Sequence, residues 1–564
     1  MKKLLAILLT LTLLTGLLAG CGSSSAETES SEDESTAVTQ ADAEETDTEE
    51  SPTEESESEA EENTSSSGSA LPDTYPLLCD DGSVTLTLFQ VLVPDMTDID
   101  DYNDLYFWQE VTNRTGISLN WNLASFTSAE TQFNLLVSAG DLPNIVCVTQ
   151  YYTAGITSAV ENDVFVDLSD YLEEYAPDYL EVISQDDVYP AISDDNGSII
   201  AFYEIGMEEF SPNNGVFIRG DLLEEQGLDV PVTYDEYEET MLALKTAYDI
   251  EAPVFYTFEN TQDQWLSSGQ YVKSDFSLDE DGNCIYGPVE DGYREYLKIL
   301  NRWYEEGLIY QEFYQTGGTS GDDMDEYIST GKSILGFAWC EDAGTIELPE
   351  GGYLVAGYIP RNNEDDEIHL TEGINDKVNY VSWGIGTNST EEEIQYACML
   401  LNYFYTEEGS LLANYGVEGV TFEYLDDGTP WYTDLITDNP DGLTQTLAMY
   451  TYIGYSIPAL SDYTKYNVAA LTDWADFIEV WGSSADNSWD MPAVSLSIEE
   501  QEEYSAVATD VETYLDENVA KFIIGDLDVN DDAVWQNYLD DLESLGVNTM
   551  IEIYSAALER YNAR

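Results

Sequence analysis

The side chains of this protein favour binding over covalent chemistry. Histidine occurs once, as His369, which argues against a Ser-His-Asp or Cys-His catalytic site and excludes a zinc site built from several histidines. The cysteines that follow Cys21 are isolated from one another, which is typical of buried thiols. The chain has 11 Trp and 41 Tyr. Because aromatic faces stack on the C–H faces of sugars while carboxylates and amides bind their hydroxyls, this composition favours a carbohydrate ligand.

The acidic residues define neither a metal site nor a catalytic pair. Residues 526–530 (DLDVN) begin like a calcium loop, but Asp531 stands where that loop requires glycine and Asn537 where it requires glutamate. We therefore predict that this segment caps the helix that follows it. With 114 acidic residues, any spacing of two carboxylates occurs by chance, so a glycosidase pair cannot be identified. We predict no metal, no cofactor and no catalytic residue.

Net charge excludes several classes of partner. The 564 residues include 16 basic and 114 acidic side chains, a formal charge of −98. Such a polyanion cannot neutralise phosphates, so we predict no nucleic-acid binding, and an anionic membrane surface would repel it. Self-repulsion also predicts a monomer. The length suggests two or three domains.

The N-terminus is typical of a processed segment. Lys2 and Lys3 precede an apolar run at residues 4–18 that is short for a membrane span. The run ends in LAGC at 18–21, which resembles the lipobox of bacterial lipoproteins, where the cysteine carries acyl chains such as palmitate. The resemblance implies a signal peptide at 1–20 and a lipid anchor on Cys21 at the outer face of the cell membrane. Residues 21–70 are acidic and lack aromatic residues, which predicts a disordered tether.

The remaining chain alternates short apolar strands with amphipathic helices, which predicts an α/β architecture. Strands are predicted at residues 84–93, 145–148, 198–203, 215–219, 333–339 and 380–385. Helices are predicted at 105–115, 233–248, 534–545 and 550–561, so the C-terminal third is mostly helical. Thr233 and Glu236 form a capping box at the start of one of these helices.

Several motifs in order along the chain carry a family resemblance. They are GDLPNI at 140–145, FIRGDLLEEQG at 217–227 with VPVT at 230–233, YTEEG at 405–409 with NYGVEG at 414–419, AKFIIG at 520–525, and a tail from Leu545-Gly546 through Tyr554, Ala557 and Tyr561. This pattern resembles the extracellular solute-binding lipoproteins that serve sugar ABC importers, in particular the large lipoprotein branch common in Firmicutes. The chain departs from that pattern at Asn144, where the family usually has aspartate, and at Leu222, where it usually has tryptophan.

The resemblance implies a two-lobed, periplasmic-binding-protein-like α/β fold with a hinge, an interlobe ligand cleft and a helical C-terminus. Lobe 1 is expected to comprise residues 71–205 plus about 382–450, and lobe 2 residues 206–381 plus about 451–564. The implied function is capture of a mono- or oligosaccharide by lobe closure and delivery to the permease subunits of an ABC importer. The membrane would be reached through the lipid anchor alone.

Candidate ligand contacts follow from the rule that ligands of open α/β sheets bind beyond the carboxyl ends of the strands. Together with the aromatics at the expected hinge and in one loop, the rule selects Gln150, Tyr151, Tyr152, Tyr203, Glu204, Trp265, Trp339 and Trp383. For each of them the alternative is a structural role within its own lobe. Trp108, inside a predicted helix, is interpreted as core, and Arg219 as the partner of a carboxylate such as Asp221.

Other functions stay open at this point. A receptor for peptides or another small solute would share the fold, although anchors for both peptide termini would need more Arg and Lys than this chain has. A secreted glycoside hydrolase is the enzymatic alternative. Turnover separates the two classes, because a receptor returns its ligand intact.

Overall fold

The computed structural model describes residues 83–92, 99, 101–185, 188–207, 214–257, 265–315, 321–339, 343, 346–371, 377–425, 428–440, 442–451, 457–462, 475–483 and 486–564. All of them belong to the unit Ser69–Arg564. The predicted signal peptide, Cys21 and the tether lie outside the described residues.

The larger sheet is mixed and has six strands. These are β1 (Thr85–Leu92), β2 (Ser118–Ser125), β3 (Ile145–Val146), β4 (Ala201–Gly206), β10 (Val378–Ile385) and β13 (Leu460–Ser461), in the order β13-β4-β10-β3-β1-β2. Strands β1, β2 and β3 run parallel, β13 runs parallel to β4, and β10 is antiparallel to both of its neighbours. The carboxyl ends of all strands except β10 therefore share one edge, and β10 begins there.

The smaller sheet has three antiparallel strands, with β5 (Asn214–Arg219) between β8 (Leu335–Trp339) and β9 (Leu354–Ala356). Two hairpins complete the strands, β6 (Phe276–Leu278) with β7 (Cys284–Tyr286) and β11 (Phe422–Tyr424) with β12 (Pro430–Tyr432).

Helices cover both sheets. Beside the larger sheet lie α1 (Tyr106–Thr115), α2 (Ala129–Ala139), α3 (Gly155–Glu161), α4 (Leu172–Tyr175), α5 (Pro177–Ile183), α6 (Tyr189–Ile192), α11 (Glu391–Tyr403), α12 (Glu407–Tyr415), α13 (Asp434–Thr437) and α14 (Leu443–Tyr450). With the smaller sheet lie α7 (Gly220–Gln226), α8 (Tyr234–Tyr248), α9 (Asp291–Glu305), α10 (Gly321–Ser329), α15 (Ala475–Gly482), α16 (Ile498–Ile524), α17 (Asp532–Leu545) and α18 (Val547–Tyr561). The helical C-terminus is as predicted.

Two groups of hydrophobic clusters divide the described chain into two lobes. The larger sheet is covered on both faces, as strand β1 illustrates. Its residues Leu86 and Leu88 belong to one hydrophobic cluster, and Phe89 and Val91 belong to another. Clusters of the first group draw on residues 86–205 and 383–459, and those of the second group on residues 216–356 and 477–558. Among the described residues, the chain passes from one group of clusters to the other between residues 207 and 214, between 371 and 377 and between 462 and 475.

The packing assigns two short segments differently from the predicted lobe boundaries. Val378, at the start of β10, pairs with Ile205 of β4, and Leu460 pairs with the same residue from the other side. Both segments were expected in lobe 2, but they complete the sheet of lobe 1. The reason is that a strand's place is set by its ladder partners, which lie far away in the sequence.

An ion-pair cluster joins the lobes apart from the crossings. Arg560 Nε, in the last turn of α18, and Arg564 Nη2, three residues after that helix, lie 2.6 and 2.8 Å from the two carboxylate oxygens of Asp195. Arg560 also pairs with Glu500 of α16 at 2.7 Å. Burial opposes the charged carboxylate, but the hydrogen bonds from both arginines hold the pKa of Asp195 below its ordinary value.

Local predictions agree with this fold. The capping box is present, with Thr233 accepting from the Glu236 amide and Glu236 accepting from the Thr233 amide. Asp531 caps α17, where its side chain accepts from the Ala533 amide. Of the cysteines, Cys147, Cys284 and Cys398 are buried free thiols, while Cys79 and Cys340 lie outside the described residues.

Candidate ligand-binding cleft

The turn after β3 lies at the carboxyl edge of the larger sheet. Thr149 begins a short 3-10 helix there, and its Oγ1 donates to the Ser382 carbonyl of β10 at 3.0 Å. This bond holds the turn against the sheet. The turn positions Gln150 and Tyr151, and Tyr152 follows it.

These three predicted residues differ in what they offer a ligand. Gln150 is half-buried, and its Oε1 has no hydrogen-bond partner among the described residues. A buried acceptor without a partner costs about 1–3 kcal/mol, so it points to a group that completes the site. Tyr151 is half-buried against Phe133. Tyr152 is turned to its own lobe, because its hydroxyl lies 3.0 Å from Ser158 Oγ.

Tyr203 and Glu204 lie side by side on β4. Burial raises the pKa of the Tyr203 phenol to about 12, so it remains a neutral hydrogen-bonding group. Glu204 is fully buried, and its two carboxylate oxygens accept from Ser461 Oγ (2.6 Å) and Asn379 Nδ2 (3.0 Å). These partners belong to β13 and β10. Glu204 therefore ties together the three strands that end or begin at the three crossings.

On the smaller sheet, Trp339 is the predicted aromatic that remains accessible. It ends β8 with 43% of its surface exposed, and it pairs with Asn214 at the start of β5. Trp265 is stacked on Phe337 of the same strand at 6.0 Å and is fully buried. Trp383 is equally buried in the other lobe, stacked on Trp108 at 6.0 Å. Neither of these two indoles offers a ring face to a ligand in this conformation.

Sequence reasoning missed two residues at this edge. Asn214 is buried, and its Oδ1 has no hydrogen-bond partner among the described residues. Trp481 of α15 covers Gly215, where a Cβ atom would lie 2.6 Å from the indole, and its Nε1 donates to the Val216 carbonyl at 2.9 Å. The rule that ligands bind beyond the carboxyl ends of strands overlooked Asn214 because it assumes parallel strands, and it does not consider a helix residue such as Trp481. In an antiparallel sheet the start of β5 lies beside the end of β8.

The two edges are connected by a short crossing. Met207 follows β4 and Asn214 begins β5, so seven Cα steps limit their separation to about 25 Å. The edge of the larger sheet carries Gln150, Tyr151 and Tyr203, and the edge of the smaller sheet carries Asn214 and Trp339. We call this set the cleft residues.

The cleft residues are neutral and combine aromatic rings with amide and phenol groups. The nearby carboxylate of Glu204 is engaged with β10 and β13, and the ammonium of Lys377, beside β10, lies 3.5 Å from Gln185 Oε1. A bound anion would need Arg or Lys within the set. The arrangement suits a neutral polyhydroxylated ligand.

Within the described ranges no helix has the length and apolarity that crossing a bilayer requires.

Comparison with known proteins identifies the family. Residues 100–410 match the family described as bacterial extracellular solute-binding protein. The chain is 21% identical over 498 residues to the fructooligosaccharide ABC transporter substrate-binding protein FusA of Streptococcus pneumoniae, covering 82% of this chain and 88% of FusA. It is 23% identical over 442 residues to lipoprotein LipO of Bacillus subtilis, covering 74% of this chain and 83% of LipO.

Solved structures share the fold. The alginate-binding protein AlgQ2, crystallised without calcium ion, superposes with a TM-score of 0.67 at 21% identity, over 86% of this chain and 99% of AlgQ2. The two-lobed α/β fold predicted from the motifs is thereby confirmed. The chain belongs to the bacterial extracellular solute-binding proteins, and it is a binding protein rather than an enzyme, as predicted.

Proposed function

We propose that this protein captures a neutral mono- or oligosaccharide outside the cell and delivers it to the permease subunits of an ABC importer. The observation that carries the proposal is the exposed indole of Trp339 beside Asn214, whose Oδ1 has no hydrogen-bond partner among the described residues. An aromatic face can stack on the C–H face of a sugar ring while an amide oxygen accepts from a sugar hydroxyl. FusA, the relative named for fructooligosaccharide, supports the same ligand class.

The charge of the cleft favours a neutral glycan over an acidic one. FusA is named for a neutral glycan, fructooligosaccharide, and AlgQ2 for an acidic one, alginate. The cleft residues include no Arg or Lys to pair with uronate carboxylates. The protein's own negative charge would repel an acidic polymer further.

Closure of the lobes is the proposed mechanism. A ligand that contacts Gln150, Tyr151 and Tyr203 on one edge and Trp339 on the other binds the closed form better than the open one, and so shifts the equilibrium toward closure. The other residues of the predicted site act behind this surface. Tyr152, Trp265 and Trp383 support the walls, and Glu204 holds together the strands at the crossings.

The lobe boundaries proposed here follow the packing. Lobe 1 comprises residues up to about 207 together with about 377–462, and lobe 2 comprises about 214–371 together with about 475–564. The hinge consists of the three segments between them.

The proposed location is the outer face of the cell membrane. A signal peptide at 1–20 would be removed, Cys21 acylated, and residues 21–70 would tether the lobes as an extended acidic chain. LipO, a relative named as a lipoprotein, supports this arrangement. The mature protein is proposed to be a monomer.

A ligand panel tests the function. The chain from residue 21 onward, with Cys21→Ser to prevent acylation, would be melted with neutral mono- and oligosaccharides, uronates, short peptides and CaCl₂. A ligand that binds only the folded state raises the Tm in a concentration-dependent manner. We expect a shift with one class of neutral glycan, and intact glycan by chromatography afterwards. A shift with peptides or uronates alone would overturn the neutral-sugar assignment.

A further inference from the structure

Two arginines of lobe 2 bind one carboxylate of lobe 1. Arg560 lies in the last turn of α18 and Arg564 three residues after that helix, whereas Asp195 lies between α6 and β4. Arg560 Nε reaches one oxygen of the Asp195 carboxylate at 2.6 Å, and Arg564 Nε and Nη2 reach the other oxygen at 3.0 and 2.8 Å. This contact joins the lobes without a covalent link, so it can break when the lobes move apart.

Partners within lobe 2 orient both guanidinium groups. Arg560 binds the two oxygens of the Glu500 carboxylate on α16 at 2.8 and 2.7 Å, and this bidentate pair fixes the plane of its guanidinium. The guanidinium of Arg564 lies over the ring of Tyr561, 5.1 Å from its centre. Neither of these contacts involves lobe 1, so both arginines are positioned to receive Asp195 before the lobes meet.

Lobe 1 offers Arg564 more than a carboxylate. Arg564 Nη1 also donates to the backbone carbonyls of Ser193 at 2.6 Å and Pro190 at 2.9 Å. Its side chain is 11% exposed, so the contact excludes most of the surrounding water. The planar fork of donors therefore meets a matching set of acceptors, which distinguishes this contact from a solvated surface ion pair.

The segment that carries Asp195 flanks the cleft edge of the larger sheet. Asp194, beside it, accepts from Thr157 Oγ1 at 2.7 Å, and Thr157 lies in the first turn of α3, which follows the turn that carries Gln150 and Tyr151. The crossings between the lobes leave from three neighbouring strands, β13, β4 and β10, and β3 lies next to them on the open side of the sheet. Opening the lobes about the crossings widens the gap beside β3, which pulls the arginines away from Asp195.

We propose that Arg560, Arg564 and Asp195 form a latch that holds the lobes together before any ligand binds. In a chain with 114 acidic and 16 basic side chains, repulsion between the lobes opposes closure, and the latch supplies an attraction between them. A ligand that binds between the lobes then meets a closed form that is already populated. The latch acts in the free protein, so it does not depend on the proposed sugar ligand.

Small-angle X-ray scattering of the ligand-free chain from residue 21 onward, carrying Cys21→Ser, tests the latch. Two further changes are compared with this parent: Asp195→Lys, which places a third positive charge beside the two arginines, and Arg564→Gln, which removes ionic contacts to lobe 1 alone. Both should increase the radius of gyration, and Asp195→Lys should increase it more. The tether is the same in every variant, so differences between them report on the lobes.

The matched control is Asp490→Lys. The side chain of Asp490 is 29% exposed, as that of Asp195 is, and its ion pair with Lys273 lies inside lobe 2. This reversal of charge should leave the radius of gyration unchanged. An equal increase in the control would attribute the effect to charge reversal in general and would overturn the proposal.

Two other results would also reject the latch. An unchanged radius in Asp195→Lys would mean that the contact does not hold the lobes, and a smaller radius would mean that it holds them apart. Urea unfolding of each variant separates opened lobes from a loosened fold, since a larger radius with a loss of cooperative unfolding would count against the latch. If Asp195→Lys does not fold, Arg564→Gln decides the question by the same comparison.

Discussion

Replacing Trp339 by alanine tests whether the exposed indole is a stacking surface for sugar. A tryptophan side chain presents up to about 250 Å². With 43% of its surface free, roughly 105 Å² is available to a ligand. If a pyranose or furanose ring covers one face, about half of this area, the loss is about 50 Å² at about 25 cal/mol per Å², or about 1.3 kcal/mol. We therefore expect about a tenfold weaker Kd for the glycan that the panel identifies.

The matched control is Tyr314→Ala. Tyr314 is 46% exposed, close to the value for Trp339, but it follows Ile309, which lies with Val254 and Leu335 at the far end of β8. Both substitutions remove an exposed aromatic ring from lobe 2, so both should change the free energy of unfolding by less than about 1 kcal/mol. Only the first should change the Kd measured by calorimetry.

An unchanged Kd for Trp339→Ala, within twofold of the parent, would refute the stacking role. A loss of affinity shared by Tyr314→Ala would attribute the effect to the lobe as a whole. If Trp339→Ala lowered the free energy of unfolding by as much as it lowered the free energy of binding, the loss of affinity would likewise be attributed to the lobe as a whole.

Three further outcomes follow from the structure. Gly409→Ala should destabilise the protein by about 3 kcal/mol or more in urea unfolding, because the new Cβ would lie 1.9 Å from the Tyr403 carbonyl oxygen. The control is Gly428→Ala, where the new Cβ would meet open space and only the positive φ opposes it, so this variant should cost about 1 kcal/mol. Glu204→Ala should cost about 2–3 kcal/mol because it removes a buried carboxylate that accepts from Ser461 and Asn379, and Glu204→Gln clearly less, since it keeps an acceptor; equal losses would contradict this account. Asp195→Asn should lower stability by roughly 1 kcal/mol or less at pH 7, and the difference should shrink in 1 M NaCl. Because the pKa of Asp195 is depressed in the folded state, this contribution is present above about pH 4 and is lost as pH falls below it, so a variant that still differs from the parent at pH 2 would contradict the ion-pair explanation.

Much of the local structure could be predicted because it depends on neighbours in the sequence. The Thr233 capping box needs only a side chain three residues away, and both of its hydrogen bonds are present. Arg219 pairs with Asp221 at 2.6 and 2.7 Å, as expected for a residue two positions away. Trp108 is fully buried, as its position in an amphipathic helix indicated.

Strand β2 was missed, although a signal for it exists. Residues 118–125 (SLNWNLAS) place apolar residues at every second position, at Leu119, Trp121 and Leu123. The intervening residues are polar because β2 is the last strand of its sheet, with β1 as its one ladder partner. Prediction favoured continuous apolar runs, which identify central strands, and passed over this alternation.

Asn144, where the family usually has aspartate, connects two distant segments of the chain. Its Oδ1 accepts from the Thr87 amide at 2.9 Å, and its Nδ2 donates to Ser389 Oγ at 3.1 Å. An aspartate could make the first of these bonds in the same way, and in place of the second it could accept from the Ser389 hydroxyl. The amide therefore links β1 to the turn before α11 through both of its polar atoms.

The sequence by itself determined the class of protein, part of the order of strands and helices, and the ligand chemistry that the composition favours, because periodicity, capping and motifs are local. Only the tertiary structure decided which predicted contacts remain accessible. Trp265, Trp339 and Trp383 are equivalent as sequence candidates, but neighbours from distant segments cover two of them and leave Trp339 exposed. Glu204 meets Ser461 across 257 positions, a contact that no local pattern encodes. Burial depends on what packs against a side chain, and those neighbours are brought together by the sheet.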